Sequence, residues 1–200
     1  MFTLVVDDFG VCYTNKADVD RLIAVLQRHY KLTTDWTGAR YIGLPLAWDY
    51  DNQIVDISMP GYIERALHRF NHRFRQKHQH SPHKWASPEY GSRQQYEQHD
   101  NTPALDLKDT KFVQEVLGTL LYYGRAVDCT MITAIGSIAT HQASATQATL
   151  ESITQLLDYC ATYPDAIIRF RASDMILYVE SDASYLCEFK ARSRAAGYHY

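Results

Sequence analysis

Asp7 and Asp8 lie within the run Phe2-Thr3-Leu4-Val5-Val6-Asp7-Asp8-Phe9-Gly10-Val11-Cys12-Tyr13. Two short apolar stretches flanking adjacent acids predict a tight β-hairpin with the acids at its tip. In mid-strand, neighbouring side chains point to opposite faces. At a tip the backbone turns, and neighbouring acids can converge. Adjacent carboxylates repel one another unless a cation lies between them. Mg²⁺, or Mn²⁺ in its place, suits such a site because it takes carboxylate and phosphate oxygens. That is the chemistry of nucleotidyl transfer, in which a metal pair activates a 3′-hydroxyl and steadies the leaving pyrophosphate. An Asp in a turn also has a plain structural use, since its side chain bonds the nearby backbone.

A second acid, Asp182, follows the apolar run Met175-Ile176-Leu177-Tyr178-Val179 and is flanked by Ser181, Ala183 and Ser184. Small neighbours leave room for a cation and a phosphodiester. One carboxylate cannot hold a two-metal site, so its partners would come from elsewhere. The same residue also reads as a turn former at a strand end. His68, His72, His78, His80 and His83 invite a zinc reading, and His68 and His72 have a permissible helical spacing. No Cys or Glu stands at a recognised offset from them. The segment reads instead as a solvated basic stretch tracking nucleic-acid phosphates.

The elements that must position these groups follow from periodicity. Val19, Leu22, Ile23, Leu26 and Tyr30 predict a helix from Lys16 to Tyr30, capped by Asn15. Tyr41 to Trp48 and Ile54 to Ser58 read as strands joined by the turn Asp49-Tyr50-Asp51-Asn52. Pro60 opens a helix with Tyr62, Ile63, Ala66, Leu67 and Phe70 on its apolar side. Residues from Phe74 to Leu107 form a long connector, ordered in part by Trp85 and Tyr90. Helices are predicted over Thr110 to Val127, Met131 to Ala143 and Gln147 to Tyr163, with Pro164 as the stop. Tyr122 and Tyr123 read as core residues. Strands return at Ile167 to Phe170, Met175 to Ser181 and Ala195 to Tyr200.

With 200 residues and 46% hydrophobic content, the chain is long and apolar enough for a packed core. No apolar run reaches the ~18 residues of a membrane-spanning helix, so no membrane partner is expected. The N-terminal residues lack a basic region and do not read as a signal peptide. Cys12, Cys129, Cys160 and Cys187 form no CxxC pair and read as buried, reduced thiols of an intracellular, non-secreted protein. The net charge of −3 is unusual for a nucleic-acid binder, but basic residues concentrate between Arg65 and Lys84 and between Lys190 and Arg194.

The order of these features resembles the pol polyprotein of copia-type LTR retrotransposons. Val5-Val6-Asp7-Asp8 resembles the palm motif YVDD of reverse transcriptases. Tyr41-Ile42-Gly43-Leu44 is similar to the FLGI stretch that grips the primer terminus. Gly61 to Phe70 resembles the segment YI..LL.RF that begins the thumb, and Leu117 to Tyr123 resembles LVGSLLYL of the connection. Ser181-Asp182-Ala183-Ser184-Tyr185 resembles SDASY at the start of the ribonuclease H domain, and Ala191 to Tyr198 resembles the KSTSGY strand after it.

The resemblance implies an α+β fold: a partial reverse-transcriptase palm with antiparallel hairpins, a helical thumb and connection, and the first strands of a ribonuclease H-like sheet. Its divisions would be 1–59 for the palm, 60–109 for the thumb-like helix and connector, 110–166 for the connection and 167–200 for the start of ribonuclease H. Asp7 and Asp8 would ligate Mg²⁺ or Mn²⁺, Tyr41, Ile42, Gly43 and Leu44 would hold the primer, and Asp182 would bind metal for cleaving RNA in an RNA–DNA hybrid. Lys31 would protonate the leaving pyrophosphate, although a helix-end Lys also serves simply to bond terminal carbonyls. The partners implied are an RNA template, a DNA primer, a dNTP and the rest of the polyprotein, in a cytoplasmic particle or the nucleus. Val5 departs from the usual aromatic before the acid pair. The family's third palm Asp lies upstream of the stretch matched here, and its remaining ribonuclease H acids lie downstream. A fragment of the polyprotein, inactive alone, is therefore expected. The other reading is a non-enzymatic relic that binds nucleic acid or a protein partner.

Overall fold

The computed structural model describes residues 2–73, 78–84, 100–174, 176–186, 188 and 192–200. The protein is α+β, with antiparallel strand pairing throughout and α-helices concentrated in the middle of the chain. It divides into two units, Met1–Met59 with Ile167–Arg171, and Pro60–Ala166 with Ala172–Tyr200.

The first unit opens with the predicted hairpin. Strand β1 (Phe2–Val5) pairs antiparallel with β2 (Asp8–Val11), with Val5 opposite Asp8 and Thr3 opposite Gly10. Helix α1 (Lys16–Leu26) starts where expected, because the Asn15 side chain accepts from the Ala17 amide. It ends at Leu26 rather than Tyr30. There Arg28 and His29 donate to Val25 and Leu26, tightening the chain into turns. Strands β3 (Arg40–Tyr41), β4 (Leu44–Asp49), β5 (Ile54–Ser58) and β6 (Ile167–Arg171) form a sheet in that order.

Two expectations change here. The single strand expected from Tyr41 to Trp48 is interrupted by a turn at Ile42-Gly43, so Tyr41 pairs with Leu44. Both turn residues are left-handed, at φ 52° and 75°. Gly43 adopts this at no steric cost, and Ile42 adopts it despite its branched side chain. Second, Ile167–Arg171 does not open a C-terminal sheet but pairs with β5 along its length, Ile54 opposite Arg171 and Ser58 opposite Ile167. The turn Asp49 to Asn52 is as predicted, with Asp49 Oδ1 accepting from the Asn52 amide at 3.0 Å.

The second unit contains most of the buried core. Helices α2 (Tyr62–Arg69), α3 (Leu107–Ala126), α4 (Ile132–Ala139) and α5 (Gln147–Thr162) bury Ile63, Val116, Leu120, Tyr123, Ile135, Ile153 and Leu156. Asp106 caps α3 by accepting from the Asp109 amide, and Thr146 with Thr149 forms a reciprocal cap on α5. The helix expected over Met131 to Ala143 is a 3₁₀ turn (Cys129–Met131) followed by the shorter α4. Tyr123 is core, as expected, but Tyr122 is half exposed, since adjacent helical residues diverge by roughly 100°. Strands β7 (Val179–Ala183) and β8 (Ala195–His199) pair antiparallel, and β7 begins at Val179, later than the expected strand.

Only Cys160 is buried among the cysteines described; Cys12 and Cys129 are exposed, contrary to expectation. Burial pushes the Cys160 thiol up to about 12, which makes it inert at neutral pH. Trp85, Tyr90, Met175, Cys187 and Lys190 lie outside the described residues.

Candidate functional site

The acidic tip is a two-residue turn, Val6-Asp7, closed by the pair Val5 and Asp8. Val6 is left-handed at φ 53°. For a β-branched residue this is a strained conformation that glycine would occupy freely. Asp7 therefore sits in the turn itself, and Asp8 is the first residue of β2. Both side chains are exposed, with no apolar packing sealing them from a ligand.

Pairing sets the direction of Asp8. Residues opposite one another share a face, and residues two apart share it too. Thr3, Val5, Asp8 and Gly10 therefore line one face, while Phe2, Leu4, Phe9 and Val11 line the other. Phe2 and Phe9 meet on that second face with ring centroids 6.2 Å apart. The first face carries Asp8 and meets the β3–β4 hairpin at Tyr41. The Tyr41 hydroxyl lies 2.9 Å from Thr3 Oγ1. A Cβ added to Gly10 would lie 2.8 Å from Thr3 Oγ1 and 3.4 Å from the Tyr41 ring.

The β3–β4 hairpin is itself fixed from the preceding loop. Asp35 accepts from the Thr37 hydroxyl and amide at 2.6 and 2.9 Å, and from the Arg40 amide at 3.3 Å. The Thr37 hydroxyl is the main cause holding the Asp35 carboxyl below its ordinary value. The Trp48 indole donates to the Gly38 carbonyl at 2.8 Å, closing the loop onto β4. The Lys16 ammonium lies 4.2 Å above the Trp36 ring, tying the start of α1 to the same loop.

Asp7, Asp8, Tyr41, Ile42, Gly43 and Leu44 thus belong to two hairpins of one unit, joined through Thr3 and Tyr41. Lys31 is exposed beyond the end of α1 and enters no hydrogen bond or ion pair among the described residues. It is not a helix-end Lys, because α1 has already ended. Asp182 lies in the other unit, on β7 opposite Ala196, and its Oδ1 accepts from the Ala183 amide at 2.8 Å. Among the described residues, no group of three or more His, Cys, Asp or Glu could hold a metal ion. The tip offers two accessible carboxylates, and a divalent cation held there would need further ligands.

His68, His78 and His80 are exposed, while His72 and His83 are only partly so. His72 Nε2 lies 2.8 Å from Asp158 Oδ1, with both side chains 11% exposed. His80 Nδ1 lies 2.6 Å from the Tyr163 hydroxyl, and the Gln79 amide donates to Thr162 Oγ1 at 3.0 Å. Gln79 and His80 are therefore fastened at the C-terminal end of α5. Sequence reasoning did not single out Thr3 or Gly10. A glycine inside a strand often marks the close approach of another group, and Gly10 carried that signal.

The fold class is α+β with an exposed acidic hairpin. No family model matches the chain, and no curated protein or solved structure matches it. No helix among the described residues is long and apolar enough to cross a membrane.

Proposed function

We propose that this chain is part of an RNA-directed DNA polymerase of the copia-type retrotransposon class, joined to a ribonuclease H. The observation that carries the reading is Val6 at φ 53° in the turn that presents Asp7. A strained β-branched residue at a two-residue tip is unfavourable by roughly 1–2 kcal/mol, and such strain concentrates at functional sites. The motif order and the joined β3–β4 hairpin support the same reading.

Asp7 and Asp8 would help to hold Mg²⁺ or Mn²⁺, which would supply Lewis-acid activation of a primer 3′-hydroxyl and charge neutralisation of the triphosphate. Asp7 supplies carboxylate oxygens from the turn, and Asp8 supplies them from the first position of β2. The Tyr41 to Leu44 turn holds primer backbone through its main-chain groups and shape. Asp182 serves RNA cleavage in the separate ribonuclease H site. Asp7 and Asp8 do not complete the polymerase site, nor does Asp182 complete the ribonuclease H site, so both depend on further acids of the polyprotein and the chain is inactive alone. RNA template, DNA primer and dNTP are the partners of the complete enzyme. The second reading is a relic that binds nucleic acid or protein without catalysis.

Mn²⁺ titration followed by amide line broadening, with a primer–template duplex carrying a photoreactive 3′-terminal nucleotide, separates these readings. The expected result is broadening centred on Val5 to Phe9 that Asp7→Asn removes, and Mg²⁺-dependent labelling of Ile42 to Leu44. Duplex binding without either effect supports the relic. No metal response and no duplex binding overturn both.

A further inference from the structure

Tyr41 has contacts that a plain strand residue would not need. Its hydroxyl reaches Thr3 Oγ1 at 2.9 Å, although the two residues lie on different hairpins. Its ring lies beside Gly10, where an added Cβ would come within 3.4 Å of it, an ordinary contact distance. Thr3 and Gly10 are paired across β1 and β2, so Tyr41 contacts both strands of the acidic hairpin at one level. That level is about 10 Å from the tip, by three residues of strand rise. Tyr41 is also the residue immediately before the Ile42-Gly43 turn. One side chain therefore connects the base of the acidic hairpin to the turn assigned to the primer.

We infer that Tyr41 is a positioning residue, whose hydroxyl and ring lock the two hairpins so that a cation on Asp7 and a primer end on Ile42-Gly43 keep one fixed separation. The inference rests on the polymerase reading for its purpose, but the lock itself does not depend on metal. Without it, each hairpin holds its own backbone bonds and the pair can shift relative to one another. Positioning errors of about 1 Å in such a site are enough to slow chemistry severely.

The test uses the whole chain and two readouts. Amide hydrogen exchange without metal is expected to accelerate in both hairpins of Tyr41→Phe and of Thr3→Val, by about threefold to tenfold, the range of one hydrogen bond. The Thr3→Val/Tyr41→Phe double variant should be no faster than either single one, and Thr3→Ser should retain protection. With Mn²⁺ bound, paramagnetic relaxation at the Gly43 amide should change in Tyr41→Phe while Mn²⁺ affinity stays within about twofold, because the metal-binding acids are untouched. Unchanged exchange, or additive effects in the double variant, overturns the lock. Changed exchange with an unchanged Gly43 relaxation overturns the positioning role. If wild-type broadening does not depend on Asp7, the metal reading and the positioning role both fail, and exchange alone still decides the lock.

Discussion

Arg169 and Asp56 meet across the β5–β6 pair through two parallel hydrogen bonds, Nε to Oδ1 at 2.8 Å and Nη2 to Oδ2 at 2.7 Å. They join segments 113 residues apart in sequence. The Arg169 guanidinium holds the Asp56 carboxyl below its ordinary value of 3.8. A depressed carboxylate adds stability above its unfolded pKa, and that stability is lost as pH falls through the folded value. Asp56→Asn should therefore be less stable than wild type at neutral pH, and the two should converge as pH falls below 3.8. The pair is partly open to solvent, so the difference is small. Urea midpoints measured for both proteins across this range check it, and a gap that widens in acid would contradict it.

Tyr123 closes a different kind of joint. Its buried hydroxyl donates to the Pro164 carbonyl at 3.1 Å and accepts from the Ala166 amide at 2.9 Å. Tyr123→Phe strands both backbone groups and should cost about 1–3 kcal/mol. Burial is the main cause lifting the hydroxyl from 10.0 to about 12. The folded state therefore keeps a proton that the unfolded state releases, so stability is present below pH 10 and declines as pH rises toward 12. That decline should be shallower in Tyr123→Phe. Denaturation measured on both sides of pH 10 decides the matter, and parallel curves would remove Tyr123 as its source.

His72, just after α2, and Asp158 of α5 form a part-buried polar pair. Replacing either residue with Ala removes this contact from a confined place. Each change should cost about 1–3 kcal/mol. A double-mutant cycle should return a coupling of about 1 kcal/mol or more. Additive losses would mean that the contact contributes nothing of its own.

Local signals in the sequence were reliable where one physical cause acted alone. Asn15 caps α1 because a side-chain oxygen before an apolar-periodic run meets a free amide. Pro164 follows the end of α5 for a similarly local reason. The acidic hairpin was legible because apolar runs flanked the two acids. The turn at Ile42-Gly43 was not, since a branched residue at φ 52° contradicts its own propensity and surrounding contacts must hold it. The pairing of β6 with β5 was also hidden. It joins strands across a long intervening segment, with Arg169 opposite Asp56, and sequence periodicity has no access to such a partner. The Thr3–Tyr41 contact is of the same kind. Half of the candidate site was therefore visible as motif, and the link between its halves was not.

Val6 supplies the sharpest opposition between stability and function. Its side chain is 87% exposed, so little burial is lost on shortening it. Its φ of 53° is costly for valine and free for glycine. Relief of roughly 1–2 kcal/mol of strain, set against the added entropy of a glycine in the unfolded chain, should leave Val6→Gly more stable by about 0.5–1 kcal/mol. A glycine tip is also freer to move, and Asp7 is the next residue in that turn. Mn²⁺ affinity should therefore fall in the variant even as its urea midpoint rises. A variant that gains stability and loses no affinity would show that the strain has no bearing on metal binding. One that loses stability would show that the surrounding hairpin requires valine at this position, and would remove the observation on which the polymerase reading chiefly rests.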